Sequence, residues 1–409
     1  MTGYLHRSHL DGITDALRAS APVRAAGRWF DGVIGLACGR DRISVRVADG
    51  AVVSVQAGRG VRGPVIDISS DEAGWDRIVN GRARDFSRLL YTGVLRVSGD
   101  RMEFGRSVLL VAEMLAALRA YYRAEPSPPS VLATTGRSCG EPEPDDDTPI
   151  TGTYTDVGGL RMYAERCGTG RPVVLVHTAG LDGRQWRYVM RRLAQRGYQA
   201  IAVDLPGHGR SDMPSGGPLR EMSALADAVG DFAEYAGLAD YAVVGCSVGG
   251  DVSLTLALRR PQRVTALVAC AASAYTPSAS RLFLELSQDS AGAAGWNDMF
   301  RLNCLACTGD AIPDDRLDQL MWAHATANHL VGTADLLAWH GHDIRDRLHE
   351  ITCPALLIHG SYDFFVDRDE VVRTAEGIAR GQFLELPDVG HYPMVEDVEL
   401  GDRIADFLD

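Results

Sequence analysis

The chain has 409 residues, 46% hydrophobic and 23% charged, which suits two or three globular domains and excludes a disordered or fibrous polypeptide. Its net charge is −13, a balance that argues against nucleic acid as a partner. No apolar run approaches the roughly 20 residues that span a bilayer, so no membrane span is expected.

All 41 basic residues are arginine, a bias that with abundant Ala and Gly points to a GC-rich bacterial genome. Residues 1–124 hold 18 Arg against 13 Asp plus Glu, and the remainder holds 23 against 41. The first-half arginines are dispersed, as on a solvated face. Residues 1–7 lack a basic-then-apolar export signal, so the expected location is the cytoplasm. Eight scattered cysteines, two of them (Cys246, Cys270) inside apolar strands, suit reduced core thiols. Cys304 and Cys307 form C-x-x-C with no second pair at metal-site spacing, and read as two small residues on a helix face. No cofactor and no metal are expected.

In chain order, residues 1–124 read as one α+β domain. Helical patterning covers Leu10–Arg18. Alternation in Ile43–Val47 and Val52–Val55 flanks Asp49-Gly50, a hairpin signal. Val65–Ser69 reads as a strand entering a helix through Ser70-Asp71-Glu72. A strand follows within Gly93–Asp100, then a long apolar helix over Leu109–Tyr122. The hairpin, the Ile68–Glu72 helix entry with Trp75, Asn80-Gly81 and Gly93–Asp100 resemble the sterol-carrier-protein-2-like (SCP2-like) domain, over roughly residues 10–124. That resemblance implies an apolar ligand tunnel. The alternative is a filled core serving docking or self-association, so this domain is a candidate for homo-oligomer contacts. Residues 125–150 read as a Pro- and acid-rich extended linker.

From Thr151 strands and helices alternate, with strands near 152–157, 160–165, 173–177, 200–204, 241–245, 264–271, 355–360 and 383–386. Helices are expected at 184–195, 222–236, 248–259 and 370–378. Two antiparallel strands leading into a parallel, helix-covered sheet follow from this order. Tyr241–Val244 is a buried strand that breaks into Gly245-Cys246-Ser247-Val248-Gly249, with a helix beginning at Val248. This is G-x-S-x-G in the strand–turn–helix setting that exposes a serine above a sheet. Together with Asp204–Asp212, which contains Pro206-Gly207-His208-Gly209, it resembles the α/β-hydrolase fold over residues 151–409. The resemblance implies a structural His208.

A serine hydroxyl needs a base near neutral pH. The family order is Ser, acid, His. Asp363 follows the strand ending at His359-Gly360, and His391 lies in the loop after the last strand. Both fall at the carboxyl edge of the sheet, where ligands bind in open α/β folds. Ser247 is thus the expected nucleophile, His391 the base and Asp363 its orienting acid, with Asp367 as the rival acid. The expected oxyanion donors are the Val248 and Ala179 N–H groups. Thr178 stands where the family usually has glycine and brings a hydroxyl near the acyl pocket.

Residues of about 272–348 read as a cap inserted between strands, carrying Tyr275, Phe283, Trp296, Phe300, Trp322 and Trp339. Thr178, Trp186, Trp322 and Trp339 are the pocket candidates. His324, His329, His340 and His342 have no acid or thiol partners at metal-binding spacing. The expected activity is hydrolysis of an ester, thioester or related acyl bond of a mainly apolar small molecule, in bacterial secondary metabolism or aromatic catabolism. A C–C bond hydrolase of β-diketone-like substrates is the alternative on the same triad. A lipid-binding or carrier protein with an accessory hydrolase domain is the alternative of another class.

Overall fold

The computed structural model describes residues 3–60, 63–82, 84–133, 148–276, 295–310 and 312–409. The chain divides into two compact units, one of Met1–Thr134 with Ser280–Ala306, the other of Thr135–Ala279 with Cys307–Asp409. The stretch expected to be a cap is therefore shared: residues 295–306 group with the first unit and 307–348 with the second. Phe283 and residues 277–294 of that stretch, and 134–147 of the linker, lie outside the described residues.

The first unit opens with helices α1 (Leu10–Ala19) and α2 (Ala21–Gly27), then strands β1 (Gly32–Cys38), β2 (Asp41–Ala48), β3 (Ala51–Ala57) and β4 (Ile66–Ser70). Helices α3 (Glu72–Asn80) and α4 (Phe86–Tyr91), strand β5 (Arg96–Gly99), and helices α5 (Arg101–Arg106) and α6 (Val108–Arg123) complete its first part. The sheet order is β3-β2-β1-β4-β5, with only the β1–β4 pair parallel. Ile34, Leu36, Ile43, Val45, Ile66 and Ile68 share one sheet face and are fully buried. Asp71 caps α3 by accepting the Gly74 N–H at 2.7 Å, as its S-D-E signal predicts.

The segment after α6 stays with the first unit. It does not leave the unit at Glu125, because Glu113 is buried on α6 and must be satisfied. Its carboxylate accepts the Val131 N–H at 3.1 Å and the Ser130 hydroxyl. Burial raises the Glu113 pKa, against the lowering by these two bonds. Residues up to about 133 are thereby tied down, and Leu132 is buried.

The second unit holds strands β6 (Thr151–Val157), β7 (Leu160–Cys167) and β8 (Arg171–Val176), helix α7 (Arg187–Gln195), β9 (Tyr198–Val203), α8 (Met222–Tyr235), β10 (Tyr241–Cys246), α9 (Val248–Arg259) and β11 (Val264–Cys270). Helix α10 (Trp296–Cys307) follows, nearly all of it grouped with the first unit. Then come α11 (Asp314–Ala325), α12 (His329–His340), β12 (Ala355–Gly360), α13 (Arg368–Gly377), β13 (Gly381–Leu386), α14 (Pro393–Glu396) and α15 (Leu400–Leu408). The eight strands run β13-β12-β11-β10-β8-β9-β7-β6. β6–β7 and β7–β9 pair antiparallel and the rest parallel. The central strands β10 and β12 are buried throughout, as a sheet covered on both faces requires. Among the described residues no helix is long and apolar enough to cross a membrane.

Candidate active site

β10 ends at Cys246 and α9 starts at Val248, so Ser247 alone makes the turn, with φ +56° and ψ −127°. Positive φ in a non-glycine residue is strained and persists only where its surroundings enforce it. Here the Ser247 N–H donates to Cys270 O at 2.9 Å, while Ser247 O accepts from Gly250 and Asp251. The flanking glycines are sterically required. A Cβ at Gly245 would lie 1.9 Å from Gly249 O, and one at Gly249 would lie 2.3 Å from Val176 O. Ser247 is half-buried, directly before the free N–H groups of the helix.

His391 sits in the loop after β13. Its Nδ1–H donates to Asp363 Oδ2 at 2.8 Å, which leaves Nε2 to serve the serine. Among the described residues the Ser247 hydroxyl makes no hydrogen bond to the ring; such bonds commonly tighten only when substrate is present. Asp363 is buried, and its other oxygen accepts the Phe365 N–H at 2.8 Å. Burial raises the Asp363 carboxyl, but the charge and hydrogen bond of His391, with His359 and Phe365, outweigh it and hold it below the usual range. The rival Asp367 is exposed and engaged as the cap of α13, accepting from Asp369 N at 2.9 Å and Glu370 N at 3.2 Å.

Sequence reasoning missed Glu396. It is buried on α14 and accepts three N–H groups around the histidine: Gly309 at 2.7 Å, Gly390 at 2.8 Å and Tyr392 at 2.9 Å. Burial raises its pKa against the lowering by these bonds and by His391. The one signal in the chain is a carboxylate closing the turn Pro393-Met394-Val395-Glu396, all four of which are buried. The His391 N–H donates to Cys307 O at 2.9 Å, and the Cys246 thiol lies 3.3 Å from His391 O. The histidine loop is thus held on both sides.

Val248 N–H opens α9, and Ala179 lies in the turn after β8, half-buried. A cavity of about 490 Å³ has Leu181 and Val395 in its lining, whereas Ser247, Asp363 and His391 do not line it. Its lining includes Leu181, Gln185, Tyr188, Leu320, Trp322 and Val395. Of the pocket candidates Trp322 alone lines it, with the Arg184 guanidinium 5.1 Å from its ring centroid. The other three do not line it. Trp186 is fully buried, because the turn that carries it points its ring into the core. Trp339 is 6% exposed on α12. The Thr178 hydroxyl is spent on Gln185 Oε1 at 3.2 Å.

The family model described as alpha/beta hydrolase fold matches residues 171–309. An uncharacterised protein of Mycobacterium bovis is 30% identical over 199 residues, 49% of this chain and 52% of the relative. The chain thus spans about half the length of that relative. A 2-hydroxy-6-oxononadienedioate/2-hydroxy-6-oxononatrienedioate hydrolase of Escherichia coli is 27% identical over 261 residues, 60% of this chain and 90% of the relative. Among solved structures, an esterase from Thermogutta terrifontis superposes with TM-score 0.57 at 24% identity, over 63% of this chain and 98% of that one. The enol-lactonase from Burkholderia xenovorans gives TM-score 0.57 at 21% identity, over 63% and 99%. These structural likenesses are of fold, and the second unit has the α/β-hydrolase fold.

Proposed function

We propose that this α/β-hydrolase-fold chain is a serine hydrolase that cleaves an ester, thioester or related acyl bond of a mainly apolar small molecule. The observation that carries the reading is the strained Ser247 at the N-terminus of α9, in the same fold edge as the His391–Asp363 pair. In this mechanism His391 Nε2 takes the Ser247 proton as the hydroxyl attacks the carbonyl carbon. Asp363 holds the imidazole in the required tautomer and stabilises its cation. The tetrahedral oxyanion is met by the Val248 and Ala179 N–H groups. His391 then returns the proton to the leaving group, and water repeats the sequence to free Ser247. In the cavity an apolar acyl or leaving group would meet Leu181, Leu320, Trp322 and Val395, beside the charged Asp182, Arg184, Arg187 and Asp318. Each methylene buried there contributes about 0.8 kcal/mol.

The second reading is C–C bond hydrolysis of β-diketone-like substrates, favoured by the relative from Escherichia coli, whose name is that of such a hydrolase. For the first unit we infer an SCP2-like fold, supported by a five-stranded sheet of order β3-β2-β1-β4-β5 packed with helices. Its role in substrate carriage or self-association belongs to the same proposal. The test is turnover of p-nitrophenyl esters of two to eight carbons, beside a vinylogous 1,5-diketone acid, by the native protein and Ser247→Ala. Ester turnover rising with chain length and lost in Ser247→Ala supports the first reading. Turnover of the diketone alone replaces it with the second.

A further inference from the structure

The loop that carries the Ala179 donor is gripped from two sides. Thr178–Leu181 form a turn in which the Leu181 N–H donates to Thr178 O at 3.3 Å and Gly180 takes φ +70°. On the inner side His177 Nε2 accepts the Leu205 N–H at 3.0 Å, so the ring proton is on Nδ1 and donates to Thr178 O at 2.8 Å. Burial, with His208 nearby, pushes His177 down to about 4, so it serves as a neutral ring. Thr178 O and Ala179 N–H belong to one peptide plane, and His177 orients that plane.

The outer grip comes from α12. Asp335, 1% exposed, accepts the Gly180 N–H at 2.8 Å on Oδ2. The same oxygen lies 2.8 Å from His208 Nε2, and His208 Nδ1 lies 3.2 Å from Pro206 O. Both partners of the ring are acceptors, so both of its nitrogens must carry protons. Burial alone would lower the His208 pKa, but Asp335 and the Pro206 carbonyl raise it. The two side chains form a buried contact, and the Asp335 carboxyl reaches past the ring to the loop. Gly180 faces α12, where a Cβ on it would make ordinary contact with Gly332 Cα at 3.4 Å.

We propose that Asp335 is a positioning residue for the oxyanion hole. By holding the Gly180 N–H it fixes the Ala179–Gly180 peptide plane, as His177 fixes the plane before it. Seating of α12 and alignment of the Ala179 donor are then one structural event. This rests on the serine hydrolase reading. His208, which the resemblance makes merely structural, serves here to keep Asp335 aimed.

The test uses the full chain with Asp335→Ala and Asp335→Asn. Loss of one oxyanion donor lowers kcat by about 10²–10³-fold in enzymes of this chemistry. Asp335→Ala is expected to lose about 10²-fold in kcat on p-nitrophenyl butyrate, with KM changed less than about threefold. An arylboronic acid, which forms a tetrahedral adduct on the serine, should bind more weakly in proportion. Asp335→Asn keeps an acceptor for Gly180 and should lose about tenfold. A folded Asp335→Ala with kcat within threefold of native overturns the proposal. So does a loss wholly accounted for by fewer titratable sites at unchanged turnover per site. If Asp335→Ala does not fold, Asp335→Asn decides by the same criteria. Amide exchange at Gly180 is read in parallel and needs no turnover. It should quicken at least tenfold in whichever variant folds with Asp335 lost as acceptor, and unchanged protection in folded Asp335→Ala overturns the grip. A native protein that turns over no ester would sink the ester-hydrolase reading, while the exchange result would still decide the grip.

Discussion

Asp363 and Asp367 lie four residues apart and have opposite environments, and that contrast favours Asp363 as the acid of the proposed triad. Asp363 is buried against His391, whereas Asp367 is exposed and engaged with the first turn of α13. Asp363→Asn is expected to lower kcat at least 10³-fold by disfavouring the needed tautomer. Asp367→Ala should leave kcat within a few-fold and cost about 1 kcal/mol of stability as a lost cap. A kinetic assay with thermal melts of both variants checks this; the reverse ranking would move the acid to Asp367. The sign of the Asp363 shift adds a condition. A depressed carboxyl stays ionised above its folded value and is lost only as the pH falls through that value. Loss of activity in mild acid should therefore not come from Asp363, and Asp363→Glu should leave any such limb in place. Glu396 gives a further expectation. Glu396→Ala strands three buried N–H groups, each costing about 1–3 kcal/mol, so the variant should melt well below native and lose kcat beyond its loss of folded protein. Ser247, Asp363 and His391 stood out in the sequence because each follows the end of a strand. Glu396 did not, because its partners are backbone groups from residues 309, 390 and 392, which no side-chain motif announces.

At the level of elements, the sequence led to all eight strands of the second unit within a few residues, and to α9 at Val248–Arg259 as expected. The period of a strand buried on both faces is simply a short apolar run, and glycines and prolines bound those runs clearly. In the first unit β1 escaped notice for the same reason. Gly32–Cys38 is buried at every position, so it shows no alternation. Helix α9 also carries a buried acid. Asp251 accepts the Ser273 N–H at 3.1 Å, and burial raises its pKa well above the ordinary carboxyl range. For a carboxyl raised on folding, the folded state keeps a proton that the unfolded chain releases. Its contribution to stability is therefore greatest below the ordinary carboxyl range and falls as the pH rises toward its folded value. Asp251→Asn, which mimics the neutral acid, should melt above native at pH 8, with the gap closing toward pH 4. About 2–4 °C corresponds to 1 kcal/mol for a domain of this size. A gap that widens on acidification would show that the carboxylate is charged in the fold.

At the level of the whole molecule, the sequence placed a boundary near residue 124 and a cap at about 272–348, whereas the contacts divide the cap. Residues 295–306 group with the first unit, and Trp296, Met299 and Phe300 of that segment are buried. Tertiary grouping of this kind leaves no mark on local periodicity, which is why the chain read as separable domains. A fragment starting near Thr151 should consequently expose these side chains, melt below the full chain and bind a hydrophobic dye. A fragment that matches the full chain in melting temperature and dye binding would restore independent domains. The central claim is that Ser247 is a nucleophile whose oxyanion is stabilised at α9. Intact-mass and peptide mapping after treatment with an apolar fluorophosphonate tests it most directly. The account predicts one adduct per chain, on Ser247, with parallel loss of ester turnover and no adduct in Ser247→Ala or, at matched time, in His391→Ala. Native folded protein that stays unlabelled at Ser247 while its ester turnover persists would contradict it.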